Sequence, residues 1–372
     1  MHGFLLMILQ LFASAKSFRE LHRLVGYAEF SVDVCHACTP SMRLTLLLAS
    51  AAAVSYLDGN PRAAARARAV ALIDTIGSGS TLPDPSVLRA EPLDWAAIAE
   101  GLLPATTSIG GSGGPGRDDE QRRSRASIEA LATVARALNG ARVVDPCAGK
   151  GDVALPLAHY LEREVLLCDV SERALDTASE RAREAGLDTI STRLVDCAEL
   201  GPHLNEDDCV VALRACGAVT DMAIAAAVSK GAAFVVSPCC LWKAVARTTS
   251  GRMPTTAPDE LAYPRSEWLT NFEISAEDYS TLVDADDPPA ARASAMLGDG
   301  SRTRLFRRAR RILEEDRLRY AQEQGYAIRL LRFEGGDNPH TGILAGVKGA
   351  EGAAALAALP GDFGDDEEPL FP

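Results

Sequence analysis

No apolar run in this chain reaches the roughly 18–20 residues needed to cross a bilayer, which excludes a helical membrane-spanning protein. No fixed period recurs along its 372 residues, which excludes collagen, coiled coils and repeat arrays. A basic excess is also missing: the formal net charge is −13. Much of that sits in residues 349–372, which hold six acids and no Lys or Arg. The remaining body is only mildly acidic, so it cannot grip nucleic acid by charge alone. Cysteine is not scarce, but its pattern is incomplete. Nine cysteines are an odd number, and their spacing is not that of a secreted disulfide framework. Cys35-His36-Ala37-Cys38 is a CxxC with no second CxxC pair, so no metal site is expected. A reducing compartment follows, and the cytoplasm is the expected location. Residues 3–15 end in Ala-Ser-Ala like a signal peptide, yet no Lys or Arg precedes the apolar stretch. They read as an apolar first helix.

What is present is ordinary globular composition, 47% hydrophobic and 24% charged, which rules out a fully disordered chain. The length suits two domains, or one large domain with an arm. Residues 41–57 and 61–76 have apolar residues at helical spacing, joined by a turn at Asp58-Gly59-Asn60-Pro61. Residues 1–103 therefore read as a helical region. Residues 104–120 are rich in glycine and read as a linker. Residues 349–372 read as an acidic tail, with 361–372 disordered.

From residue 124 the pattern changes to short apolar runs alternating with helical stretches. Strands are expected at 142–145, 164–169, 190–196, 209–213 and 232–237, with helices near 124–138, 151–162, 171–185 and 219–230. This alternation implies βαβ units and a doubly wound parallel sheet. A long helix near 301–324 and strands at 327–333 and 342–347 follow, the last two fitting an antiparallel hairpin.

The strongest chemical signal is Val143-Val144-Asp145-Pro146-Cys147-Ala148-Gly149-Lys150-Gly151-Asp152. A strand ends in an acid, and a turn of small residues leads into a helix. In a doubly wound sheet, ligands bind beyond the carboxyl ends of the strands, and small residues admit a ligand close to the backbone. The turn is not GxGxxG. It is nearer DxGxGxG, with Cys147 in place of the first glycine. Asp145 would repel a pyrophosphate but suits an ammonium, such as that of S-adenosylmethionine. Asp169 ends the second run, where an acid can accept from ribose hydroxyls, a feature shared with nicotinamide enzymes. Asp196-Cys197 ends the third run, where adenine would lie. Each acid taken singly also fits a helix or loop cap.

The fourth and fifth runs lead into Cys216-Gly217-Ala218-Val219-Thr220-Asp221 and Pro238-Cys239-Cys240. Thr220 or Asp221 could cap the next helix. The cysteines of these two strand ends should sit side by side in the same crevice. Residues 302–319 hold eight arginines, at 302, 304, 307, 308, 310, 311, 317 and 319. The simpler reading is a solvated surface helix; the sharper one is a phosphate-contacting face for RNA.

These motifs together resemble the methyltransferase domain of the glutathione S-transferase C-terminal domain-containing protein family. They are more distantly similar to tRNA methyltransferases that modify the 2′-hydroxyl of the acceptor stem. The resemblance covers residues 121–348. It is carried by the DxCxGxG-like turn, the Cys216-Gly217 to Thr220-Asp221 segment, Pro238-Cys239-Cys240, Ile274-Ser275-Ala276-Glu277-Asp278-Tyr279 and Gly325-Tyr326. Arg214 stands where the family has His, Ser237 where cysteine is common and Leu241 where an aromatic is usual. The resemblance implies an α/β fold: a Rossmann-like, S-adenosylmethionine-dependent methyltransferase sheet of about seven strands behind a small helical region. It implies S-adenosylmethionine as cofactor, held by Asp145, Gly149, Gly151, Asp169 and Asp196; Cys147 in the turn and the amide of Cys197 are further candidates for holding it. Cys216, Cys239 and Cys240 would line the acceptor side. Lys150, Asp221 and His340 are the candidates for a base, and RNA is the acceptor class considered. The alternative is a non-catalytic interaction protein that keeps the fold.

Overall fold

The computed structural model describes residues 61–79, 82, 85–98, 102, 117–241, 261–286, 300–333 and 342–362. The 3–15 segment, the CxxC at 35–38, the 41–57 helix, residues 104–116, His340 and residues 363–372 lie outside the described residues. The chain divides into two compact units. One comprises Met1–Pro83, Trp268–Leu313 and Pro369–Pro372; the other comprises Asp84–Glu267 and Glu314–Glu368.

In the first unit, α1 (Pro61–Gly79) starts on a proline, whose fixed φ suits a first helical turn. It packs on the helix Ala276–Ala285. Ser275 and Asp278 close a reciprocal capping box at that helix's start. Arg68 of α1 donates to Asp278 at 2.7 and 2.9 Å and pairs with Glu277. Gly79 is fitted closely to Phe272: a Cβ there would lie 2.8 Å from the ring.

The second unit is built on one nine-stranded sheet. Its elements in chain order are β1 (Ser86–Leu88), α2 (Arg117–Leu138), β2 (Arg142–Asp145), α3 (Ala154–Leu161), β3 (Glu164–Asp169), α4 (Glu172–Glu184), β4 (Ile190–Leu194), β5 (Asp208–Ala215), α5 (Val219–Lys230) and β6 (Ala233–Pro238). After α6 (Glu267–Thr270) and α7 (Ala276–Ala285) come α8 (Gly300–Glu323), β7 (Ala327–Phe333), β8 (Gly342–Val347), α9 (Ala350–Ala357) and β9 (Gly361–Asp362). The order across the sheet is β4-β3-β2-β5-β6-β8-β7-β1-β9. Strands β2 to β6 are mutually parallel, and β8 runs antiparallel to both β6 and β7.

Period-two alternation places the core on both faces. Val143, Val165, Leu167, Val211 and Val235 pack with α2, α3 and α4 on one side. Val144, Leu166, Val210, Phe234 and Val236 pack with α5 and the end of α8 on the other. The sheet is therefore doubly wound. Gly346 of β8 is required by space: a Cβ would fall 2.3 Å from two carbons of the buried Phe234 ring. Gly346→Ala should destabilise the protein by about 1–3 kcal/mol through overpacking. An unchanged denaturation midpoint would refute this contact.

Four sequence expectations need correction. Ser86–Leu88, inside the region read as helical, is a strand paired in parallel with β7. Helix α2 begins at Arg117, inside the stretch read as linker; Asp118, Asp119 and Glu120 favour a helix N-terminus. The stretch read as acidic tail includes α9 and β9, with Leu356 and Leu359 buried. Arg329 holds this turn by donating to the carbonyls of Leu356 (2.9 Å) and Leu359 (3.0 Å).

The last correction concerns the arginine-rich helix α8, which is neither a solvated surface helix nor a phosphate face. Arg310, Arg311 and Arg317 are buried, with Glu314, Glu315 and Asp316 beside them. Arg310 faces Asp286 at 3.3 Å, and Arg317 faces Asp221 at 2.8 Å. Arg332 of β7 pairs with Glu314 at 2.7 Å. Among its described arginines, only Arg304 and Arg307 are exposed. The acids and bases neutralise each other, so burial is tolerated where a single charge would not be. Among the described residues, no helix is long and apolar enough to cross a membrane.

Candidate active site

β2 ends at Asp145, and the chain turns through residues 146–153 before α3 starts at Ala154. The turn is pinned from within and from β3. The amide of Cys147 donates to Asp145 Oδ1 at 3.1 Å, that of Ala148 to the Cys168 carbonyl at 2.9 Å, and that of Gly149 to Asp169 Oδ2 at 2.8 Å. Gly149 and Gly151 have φ of +53° and +77°, a conformation that favours glycine. Their surroundings differ. A Cβ at Gly151 would meet Leu155 at 2.7 Å, whereas a Cβ at Gly149 would meet nothing within 4 Å. Gly151 is needed for helix packing, and Gly149 faces open space. The Lys150 side chain is exposed, and its carbonyl accepts from Arg181.

All three predicted acids accept local amides, although β4 ends at Leu194, two residues before Asp196. Asp169 Oδ1 takes that of Ser171 at 2.9 Å, and Asp196 takes that of Ala198 at 2.9 Å. The acids therefore shape the crevice as well as lining it. Asp145 is the unusual one. Burial pushes its carboxyl up to about 7, and the nearby Asp169 adds to this, against the single hydrogen bond from Cys147. A cation brought to Asp145 would relieve this cost. Cys147 and Cys197 meet through their thiols; that contact first, then burial, pushes the Cys147 thiol up. Cys197 is buried, with Sγ 3.9 Å from the Val219 carbonyl.

Sequence reasoning missed two apolar residues here. Val170 and Leu194 are 66% and 56% exposed, unusual for large aliphatics. Val170 follows Asp169, and Leu194 is paired with Asp169 across β3 and β4. The signal was available: an apolar residue directly after a strand-ending acid, and another ending the edge strand.

The second set of predicted residues also comes together. β5 carries an irregularity between Leu213 and Ala215, with Arg214 at φ +59° and Gly217 at the same value. This turns Cys216 toward the end of β6. The amide of Gly217 donates to the Cys240 carbonyl at 3.0 Å, and that of Cys239 to the Ala215 carbonyl at 3.3 Å. The thiols of Cys216, Cys239 and Cys240 all lie within 4.8 Å of one another. Because β5 neighbours β2 in the sheet and β6 neighbours β5, both clusters belong to the same carboxyl edge.

Thr220 and Asp221 do not cap α5. The Thr220 hydroxyl donates to the Ala215 carbonyl at 2.8 Å. Asp221 is buried, accepting from Tyr263 and Arg317 at 2.8 Å each, with Arg265 at 3.9 Å. Its carboxylate is committed to cations and is a poor candidate for a base.

A strand-ending acid, a glycine turn open at Gly149 and a doubly wound parallel sheet belong together, and the family comparison agrees: residues 122–247 match a family model described as a methyltransferase domain. The chain carries a methyltransferase domain. The matched segment of this methyltransferase domain runs from α2 through β6 and contains every predicted cofactor-binding residue and the three cysteines, but not His340. The chain is similar to the glutathione S-transferase C-terminal domain-containing protein of Homo sapiens, 28% identical over 259 residues, covering 68% of this chain and 37% of that one. The Bos taurus protein of the same name is 27% identical over the same length and shares. The chain thus spans a little over a third of the length of these relatives. Among solved structures, magnesium protoporphyrin IX methyltransferase from Synechocystis PCC 6803, with bound SAM, is 16% identical, covering 64% of this chain and 87% of that one, at a TM-score of 0.34.

Proposed function

We propose that the methyltransferase domain transfers a methyl group from S-adenosylmethionine bound beyond β2, β3 and β4. The observation that carries this reading is Asp145: a buried carboxyl beside a glycine turn that is open to solvent at Gly149. Asp145 would take the ammonium of the methionine portion, Asp169 the ribose hydroxyls, and Asp196 with the Cys197 amide the adenine. Val170 and Leu194 offer apolar contact beside Asp169. S-adenosylmethionine supplies a methyl group already activated on a sulfonium. What remains for the protein is to bind, to align donor with acceptor and to exclude water. Cys216, Cys239 and Cys240 would border the acceptor side. An RNA acceptor drew support from the arginines of α8 and from the distant similarity to tRNA methyltransferases; most of the described arginines are buried or paired, so only the second support remains.

Calorimetric titration with S-adenosylmethionine tests the site through two glycines. Gly149 and Gly186 both have positive φ and open space around a Cβ. Alanine at either position should cost about 1–2 kcal/mol of backbone strain. Only Gly149→Ala should weaken S-adenosylmethionine binding, by tenfold or more, because only there does the methyl enter the crevice. Equal affinity in the two variants, or no binding by the folded parent, sinks the reading. Binding without methyl transfer to any acceptor class would favour a non-catalytic role instead.

A further inference from the structure

We propose that Cys216, Cys239 and Cys240 form a binding site for a thiophilic metal ion, zinc, with three thiolate ligands and a fourth position open. The case rests on spacing and framework. Zinc–thiolate bonds of about 2.3 Å place tetrahedral sulfurs about 3.8 Å apart. Here the Cys239 and Cys240 sulfurs are 3.4 Å apart, and no pair among the three exceeds 4.8 Å. The required spacing falls inside this range, so side-chain rotation alone can complete the site.

The framework is already set. Cys216 sits on a turn whose flanking residues, Arg214 and Gly217, both have φ of +59°. Two backbone hydrogen bonds join this turn to the Cys239–Cys240 segment. Ligands thus come from two different strand ends held in register, rather than from one flexible loop. All three cysteines are part-exposed, which leaves an entry path. Three protein ligands and one open position are the arrangement of catalytic rather than structural zinc sites. A disulfide between Cys239 and Cys240 would use only two of the three sulfurs, and adjacent cysteines can join only through a strained eight-membered ring. Zinc binding here does not require S-adenosylmethionine, and the two ligands are read by separate titrations.

The full chain, reduced and freed of metal with a chelator, is titrated with Zn2+ in competition with a chromophoric chelator, and in parallel with Co2+. One equivalent of each should bind, with Co2+ giving intense thiolate charge-transfer absorption. Cys216→Ser and Cys239→Ser should each lower zinc affinity at least a hundredfold, whereas Cys35→Ser with Cys38→Ser should leave it unchanged. A second measurement needs no substitution. One equivalent of Zn2+ should protect Cys216, Cys239 and Cys240 from iodoacetamide, read by mass spectrometry. Absence of a stoichiometric site, affinity lost with Cys35 and Cys38 instead, or alkylation of the three cysteines undiminished by zinc overturns the proposal.

Discussion

Replacing Asp145 with asparagine is expected to stabilise the ligand-free protein and to abolish most of its affinity for S-adenosylmethionine. The first effect follows from linkage. The folded-state pKa of Asp145, about 7, lies above its ordinary value of 3.8. The folded state therefore holds this proton more tightly than the unfolded state. The ionised carboxylate costs nothing below about pH 4, and its penalty grows between the two values and is complete above about pH 7. Three pKa units correspond to at most about 4 kcal/mol. Asparagine keeps an acceptor for the Cys147 amide and removes the charge. Asp145→Asn should therefore raise the melting temperature most at pH 8 and less at pH 5.

The second effect has the opposite sign. Losing a buried, hydrogen-bonded charge pair costs about 2–5 kcal/mol of binding, roughly thirtyfold or more in affinity. The wild-type carboxyl should also lose its proton when the ammonium arrives. Near pH 7 this releases about half a proton per S-adenosylmethionine bound, read as a dependence of the binding heat on the buffer's ionisation enthalpy. A variant that binds normally would remove Asp145 from the site.

Asp221→Ala should be the most damaging single change to folding. The carboxylate is fully buried against Arg317, itself only 1% exposed, with the Tyr263 hydroxyl also bound to it. Deleting one member leaves the buried Arg317 guanidinium without the Asp221 carboxylate, at about 3–5 kcal/mol. Removing both charges, as Asp221→Leu with Arg317→Met, should recover most of that loss. Denaturant melts of the three variants supply the test. A mild single variant, or a double variant worse than the single, would show that Asp221 does not serve to neutralise Arg317.

The residues most legible in sequence were those under local rules. The strands at 142–145, 164–169, 327–333 and 342–347 have the expected bounds, because apolar runs ending in acids or turns mark them on their own. The loop residues from Asp145 to Cys197, and the cysteines at 216, 239 and 240, could be placed at one edge because parallel topology brings every such strand end there. Where tertiary context decided, local reading failed. Three residues of β1 are too few to show a period. The charges of α8 look like solvent-facing residues until Asp221, Asp286 and Arg332 are seen to pair with them. Val170 and Leu194 stand out only once their exposure is known.

The outer strands bear on how this domain can be handled as a module. β7 is covered by β1, from upstream of residue 121, and β1 in turn by β9, from downstream of residue 348. A piece trimmed to 121–348 would keep every residue of the proposed donor site yet uncover the Leu331–Phe333 end of β7 along one side. An uncovered strand edge invites pairing between chains. Anyone seeking a minimal methyltransferase domain should therefore carry residues 84–90 and 349–362 along with it, since the boundaries of the family match are narrower than the boundaries of the sheet.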